Sequence, residues 1–156
     1  LGVRLLMESK LSAEIGKASG GLLLVKPTTY MNKSGIAVSA VLNYYKIEPA
    51  EALIVHDELD LPPGIARLKF DGGHGGQNGL RDSMRLLGHG RFHRLRIGIG
   101  HPGHKDKVTS WVLGKPGRDD EASMLRAIDD AIGVLPLAVE GNLMDAMTRL
   151  HTPRPG

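Results

Sequence analysis

A layered α/β architecture is expected for this sequence, because short stretches that are apolar throughout alternate with stretches whose apolar residues recur every three or four positions. A strand with no polar face is buried on both sides, as happens when helices cover a sheet. The length of 156 residues, with 41% hydrophobic and 24% charged composition, suits one compact domain with its own core.

Taken in order, Gly21 to Val25 reads as a buried strand stopped by Pro27, and Pro27-Thr28-Thr29-Tyr30-Met31-Asn32 as a loop. From Ser34, the positions of Ile36, Val38, Val41, Leu42 and Tyr45 predict a helix that ends before Pro49. Ala52 to Asp57 is a second buried strand, opening into Glu58-Leu59-Asp60-Leu61-Pro62-Pro63-Gly64. Ile65 to Phe70 and Arg94 to Ile99 alternate instead. Arg67 and Lys69 oppose Leu68 and Phe70, while Arg94 and Arg96 oppose Leu95 and Ile97, so each strand is expected to offer a basic row. Gly79 to Leu87 reads as a helix between them. Asp119 to Val139 is amphipathic, with Leu125, Ile128, Ile132, Leu135 and Val139 on one stripe, weakened by Gly133 and Pro136. A final helix, Leu143 to Leu150, precedes a tail made irregular by Pro153 and Pro155.

The apolar runs are too short to cross a bilayer and no charged leader precedes a signal-like stretch, so a soluble, cytoplasmic protein is expected. The absence of cysteine excludes disulfides and thiol chemistry. The net charge of +3 is unevenly spread: residues 61–118 hold eleven Lys/Arg against three Asp/Glu, whereas residues 1–60 hold six against seven and residues 119–156 three against seven. A basic middle in an otherwise acidic chain points to a polyanionic partner.

Beside that basic region, five glycines fall within Gly72 to Gly79 in Asp71-Gly72-Gly73-His74-Gly75-Gly76-Gln77-Asn78-Gly79. Such a loop makes steep turns or lets a ligand approach bare backbone. The Lys-Ser or Lys-Thr of a nucleoside-triphosphate loop is missing, since Gln77-Asn78 follows Gly76. Asn78 begins the next helix, where an asparagine commonly caps backbone amides but can also offer an amide donor to a carbonyl or phosphate. Asn32, before Ser34, presents the same two uses.

Asp57 ends an apolar strand, the position beyond which ligands gather in open α/β sheets. An aspartate with an ordinary pKa near 3.9 is a poor base at neutral pH, so its natural role is to orient and charge a histidine. His56 cannot easily be that histidine, because adjacent strand residues face opposite ways. The seven histidines include the ligand-like spacings His89/His93 and His101/His104, but no HExxH or cysteine pair accompanies them, and turn or surface roles fit better than a metal. Without a Gly-x-Ser-x-Gly elbow, activated water is the expected nucleophile.

Four segments, Pro27-Thr28-Thr29-Tyr30-Met31-Asn32-Lys33-Ser34-Gly35, His56-Asp57-Glu58-Leu59-Asp60-Leu61-Pro62-Pro63-Gly64, Gly73-His74-Gly75-Gly76-Gln77-Asn78-Gly79-Leu80 and Phe92 through Gly103, followed by Val112-Leu113-Gly114-Lys115-Pro116, closely resemble bacterial peptidyl-tRNA hydrolase. The resemblance spans essentially residues 1–156 as a single domain. It implies a three-layer sandwich with a mixed, mostly parallel twisted central sheet flanked by helices, in a monomer that needs no metal or other cofactor. It further implies hydrolysis of the ester between a peptide and the terminal ribose of tRNA, returning free tRNA to translation. By motif, Asp57 matches the aspartate that supports the catalytic histidine, and Asn32 and Asn78 match asparagines that bind the peptide and place the reacting carbonyl or water. Tyr30 and Met31 match the peptide-channel wall, and Lys69 and Arg96 the pair that grips tRNA phosphate. Gln77 stands where some relatives have histidine.

Family members begin with a strand, a Gly-x-x-Asn-Pro-Gly turn and a Thr-Arg-His-Asn segment that carries the general-base histidine. None of these occurs here, so the expectation is a chain incomplete at its N-terminus, the intact protein being an enzyme and these residues alone short of its base. Two other classes compete: a non-catalytic RNA-binding protein of the same fold, and a metal-dependent phosphoesterase. Retention of Asn32, Asp57 and Asn78 favours the enzyme over the first, and the lack of clustered carboxylate and histidine ligands disfavours the second.

Overall fold

The structure, a computed structural model, describes residues 3–104 and 107–152, apart from the side chains of Asn32 and Thr109. The tail expected to be irregular around Pro153 and Pro155 lies outside the described residues. Two compact units can be distinguished: one runs to Ala52 and resumes over Asp71–Phe92, and the other comprises Leu53–Phe70 and the residues from His93 onward.

The first unit contains strands β1 (Leu6–Glu8), β2 (Ala13–Lys17) and β3 (Leu23–Pro27), antiparallel in that order, with helices α1 (Ser34–Tyr44) and α2 (Asn78–Leu87). Strands β1 and β2 were not anticipated. Their signal is faint: Ala13 and Ile15 are buried around the less buried Glu14, a period-2 pattern only three residues long. β3 begins two residues later than expected, because Gly20 and Gly21 take φ values of 76° and 78° to turn the hairpin. Pro27 does not stop β3 but ends it in register with Ala13; on an edge strand its missing N–H costs nothing. Helix α1 lays Ala37 and Val41 on Leu11, Ala13 and Ile15 to form this unit's core.

The α1–α2 contact has one closely fitted point. Gly35 donates its N–H to the buried Asp82 carboxylate at 2.7 Å, and Arg85 binds the other carboxylate oxygen at 2.7 Å. A carboxylate at the first turn of α1 also meets the positive end of that helix. A Cβ on Gly35 would stand 2.7 Å from the Asp82 carbonyl carbon, so the helices approach this closely only because residue 35 is glycine.

In the second unit β4 (Leu53–Glu58), β6 (His93–Gly98) and β5 (Ala66–Phe70) form a sheet in that order, accompanied by α3 (Val108–Leu113), α4 (Arg118–Val139) and α5 (Leu143–His151). The mixed α/β class with sheets flanked by helices is as expected. The expectation of a mostly parallel sheet is corrected: among the described residues β4–β6 is the one parallel pairing, and β1–β2, β2–β3 and β5–β6 are antiparallel. The short connections β1–β2 and β2–β3 return the strand antiparallel, and the short turn after β4 reverses the chain into β5, so that β6, parallel to β4, lies antiparallel to β5.

Helix α4 runs unbroken through Gly133 and Pro136, but its buried stripe is not the predicted one. Ala127, Ala131 and Val134 face Ala66, Leu68, Leu95 and Ile97, while Leu125, Ile128, Ile132 and Val139 are exposed. Small residues let the helix axis come close to the sheet, and proximity of backbone outweighs side-chain size in choosing the face. Gly35→Ala, which at an ordinary helical site would stabilise α1, is expected to cost about 1–3 kcal/mol by forcing α1 and α2 apart. Asp82→Ala is expected to cost a similar ~1–3 kcal/mol by leaving the Gly35 N–H without its acceptor. Urea-unfolding midpoints of the two variants measure both effects.

Candidate active site

The glycine-rich segment of the first unit does what its composition suggested. Gly72, Gly75 and Gly76 all take positive φ, at 104°, 58° and 84°. A Cβ on Gly73, Gly75 or Gly76 would meet nothing within 4 Å, so packing is not what keeps side chains out of this loop. His74 helps shape it, its Nδ1 accepting the Gly76 N–H at 2.9 Å. The same two-residue closure recurs at His89, with the Arg91 N–H, and at His101, with the Gly103 N–H. His89 and His101 are turn-makers, as expected, and His74 is a third. Among the described residues no three His, Asp or Glu side chains gather as a metal site would require.

Beyond the loop, Gln77 and not Asn78 caps α2. The Gln77 Oε1 accepts the Leu80 N–H at 2.8 Å, and Asn78 sits on the helix as its first residue with its side chain exposed. Of the two uses open to Asn78, capping therefore falls away. The Gln77 amide also donates to the Met31 Sδ at 3.6 Å, giving the residue of unassigned role a clear one: it ties the helix start to the turn Met31–Lys33. Gly79 makes room for that turn, since a Cβ there would lie 2.8 Å from Met31 Sδ. Tyr30 and Met31 are 82% and 56% exposed. Asn32 lies in this turn, but its side chain is outside the described residues. The first unit thus carries Tyr30, Met31, Asn32, Gln77 and Asn78 on two adjoining segments.

In the second unit Asp57 stands at the carboxyl end of β4, in register with Ile97 of the parallel strand β6. Register puts Asp57 on the face of Leu95-flanking positions Val55 and Ile97, and puts His56, Glu58, Arg67, Lys69, Arg94 and Arg96 on the other. The carboxylate proposed for chemistry and the cations proposed for phosphate therefore leave the same sheet in opposite directions. His56 is 8% exposed and its Nδ1 bonds the Asp57 carbonyl oxygen at 2.8 Å, so the ring donates to backbone and not to the Asp57 carboxylate. Burial is the main reason its pKa lies below the ordinary 6.5.

The predicted basic rows need correction. On β6, Arg94 is 2% exposed, because β6 is the middle strand and its face is covered. Arg96 is ion-paired, its Nε 2.8 Å from Glu58 Oε1. Lys69, on the outer strand β5, is exposed. The turn that follows β4 is pinned to the end of β6 by three backbone bonds, Gly98 N–H to Ile65, Ile99 N–H to Glu58 and Gly100 N–H to Leu61. Gly98 permits this, because a Cβ would strike the carbonyl oxygens of Leu61 and Pro62. Neither the Glu58–Arg96 pair nor the Gln77 cap was foreseen; the first could have been sought among carboxylates one strand step from a basic row, and the second had no distinctive signal.

The family model of peptidyl-tRNA hydrolase matches residues 2–155. The peptidyl-tRNA hydrolase of Stenotrophomonas maltophilia strain R551-3 is 64% identical over 156 residues, covering 98% of this chain and 81% of that protein. That of Xanthomonas campestris pv. campestris strain 8004 is 60% identical with the same coverage. A crystal structure of the Acinetobacter baumannii peptidyl-tRNA hydrolase superposes with a TM-score of 0.95 at 43% identity, covering 99% of this chain and 80% of that one.

His151 of α5 accepts the Leu68 N–H of β5 on its Nε2 at 3.0 Å, and burial followed by the charge of Arg67 lowers its pKa below 6.5. His56 shifts in the same direction. Because folding lowers both values, the unfolded chain binds more protons in the window below about 6.5. The contribution is complete above that pH and declines as pH falls through the window toward the folded values. Urea midpoints between pH 7.5 and 5 are expected to fall with acidification, and less steeply in His151→Gln.

Proposed function

The chain belongs to the peptidyl-tRNA hydrolase family, and we propose that within it Asp57 holds the tautomer and charge of a histidine contributed from outside these 156 residues. The protein hydrolyses the ester of peptidyl-tRNA. The observation that carries the assignment of Asp57 is its station at the carboxyl end of β4, with its neighbour His56 buried and bonded to backbone, so that the histidine it serves is a different one.

In this reading the histidine takes a proton from water as the water oxygen attacks the peptide's ester carbonyl. The tetrahedral intermediate then collapses, the C–O bond to the ribose breaks, and the imidazolium returns its proton to the departing ribose oxygen. Free tRNA and a peptide carboxylic acid leave, the acid ionising at neutral pH. Asn32 and Asn78 supply amide donors to the peptide and to the reacting carbonyl or water. The exposure of Asn78, freed from capping by Gln77, supports this. Tyr30 and Met31 line the peptide channel, offering apolar surface without selecting particular side chains. Lys69 and Arg96 bind tRNA phosphate from the other face of the sheet, which keeps the RNA grip apart from the carboxylate. The residues form one domain of this family, working as a cytoplasmic monomer and using water and no metal. Among the described residues no helix is long and apolar enough to cross a membrane.

Asp57→Asn in the intact enzyme is expected to lower kcat by roughly 10²–10⁴ while tRNA affinity is kept, measured by release of peptide from peptidyl-tRNA and by direct tRNA binding. Unchanged turnover would reject the role. Lys69→Gln is expected to weaken binding for all tRNAs alike and to reduce the slope of log affinity against log salt by about 1.

A further inference from the structure

Arg96 has an awkward position for a phosphate ligand. Its register partner on β5 is another arginine, Arg67, and cations placed directly opposite each other repel. On its other side it pairs with His56, and Glu58 stands one step further along the same face. Glu58 Oε1 binds the Arg96 Nε at 2.8 Å, with the two side chains only 13% and 24% exposed. Glu58 is itself held, its side-chain Oε2 accepting the Asp60 N–H at 3.4 Å and its main-chain carbonyl accepting the Ile99 N–H at 3.0 Å.

This bond uses Nε alone. The terminal nitrogens Nη1 and Nη2 make no hydrogen bond among the described residues. A guanidinium can grip an oxyanion through its Nε side or through its two terminal nitrogens, and with Nε engaged only the terminal pair remains. We propose that Glu58 is a positioning residue: it fixes Arg96 by the Nε side so that the terminal nitrogens meet a tRNA phosphate as a ready-oriented bidentate donor. The inference rests on Arg96 being a phosphate ligand. An arginine oriented in advance loses less rotamer freedom on binding, and Glu58 also offsets the repulsion from Arg67 that would push Arg96 aside.

A carboxylate near a polyanion would ordinarily weaken binding, so the proposal predicts the opposite sign from net charge. Affinity for deacylated tRNA is measured across a salt series for the wild-type chain, Glu58→Gln, Glu58→Asp, Arg96→Gln and the double variant Glu58→Gln/Arg96→Gln, with thermal melts alongside. Glu58→Gln is expected to weaken binding roughly three- to tenfold despite raising the net charge by one unit, and to lower the salt slope toward that of Arg96→Gln. Glu58→Asp keeps the charge and is expected to lie between wild type and Glu58→Gln; it decides the matter if the glutamine variant does not fold. In the Arg96→Gln background the Glu58 change is expected to have no further effect. If Arg96→Gln weakens binding while Glu58→Gln leaves it equal or tighter, the positioning role is overturned and the phosphate role stands. If Arg96→Gln leaves binding unaltered, both fall.

Discussion

The register of β6 is the constraint on which the second unit depends. Held between β4 in parallel and β5 in antiparallel, β6 passes its alternation to both neighbours, so one register decides which side every charged group leaves the sheet. A slip of one residue would send Asp57 to the face of Arg96 and Lys69 and bring His56 to the helix side. Two features oppose a slip. Leu95 and Ile97 are buried against Ala127, Ala131 and Val134, and Gly98 must fall where the Leu61–Pro62 backbone crosses the strand. Apolar burial and steric clearance agree, and the site geometry is their by-product.

In the first unit the corresponding element is the Asp82 carboxylate. It joins α1 at Gly35, three residues after Asn32, to α2, the helix that begins at Asn78. Close helix contact, a glycine, a buried acceptor and a helix N-terminus all serve one bond. Gln77 completes the arrangement, because one side chain caps α2 with its oxygen and steadies Met31 with its nitrogen. An amide suits this double duty, having a donor and an acceptor on one planar group.

Electrostatically the basic middle of the chain is less uniform than its composition suggests. Arg94 is buried, Arg96 is matched to Glu58, Arg85 to Asp82, and Lys69 is exposed. Charges that look equivalent along the sequence differ in what remains for an external anion. Partial neutralisation need not remove an arginine from binding, since a guanidinium divides its donors between a structural partner and a ligand.

Much was legible in the residues alone. The helices over Ser34–Tyr44, Asn78–Leu87, Arg118–Val139 and Leu143–His151, and the strands around Lys69 and Arg96, follow from periodicities of 3.6 and 2, which are properties of local backbone geometry, and the strand around His56 follows from its unbroken apolar run. The peptidyl-tRNA hydrolase family was legible too, because its motifs concentrate in the turns after β3, β4 and β5 and along β6, where particular residues recur at fixed spacing. Other features required the folded chain. Strands β1 and β2 are too short to stand out, the sheet-facing stripe of α4 is chosen by alanines that no hydrophobicity pattern singles out, and the parallel or antiparallel sense of a ladder depends on how distant segments return. The Glu58–Arg96 and Asp82–Gly35 bonds join residues 38 and 47 positions apart, a separation at which sequence spacing holds no information about distance.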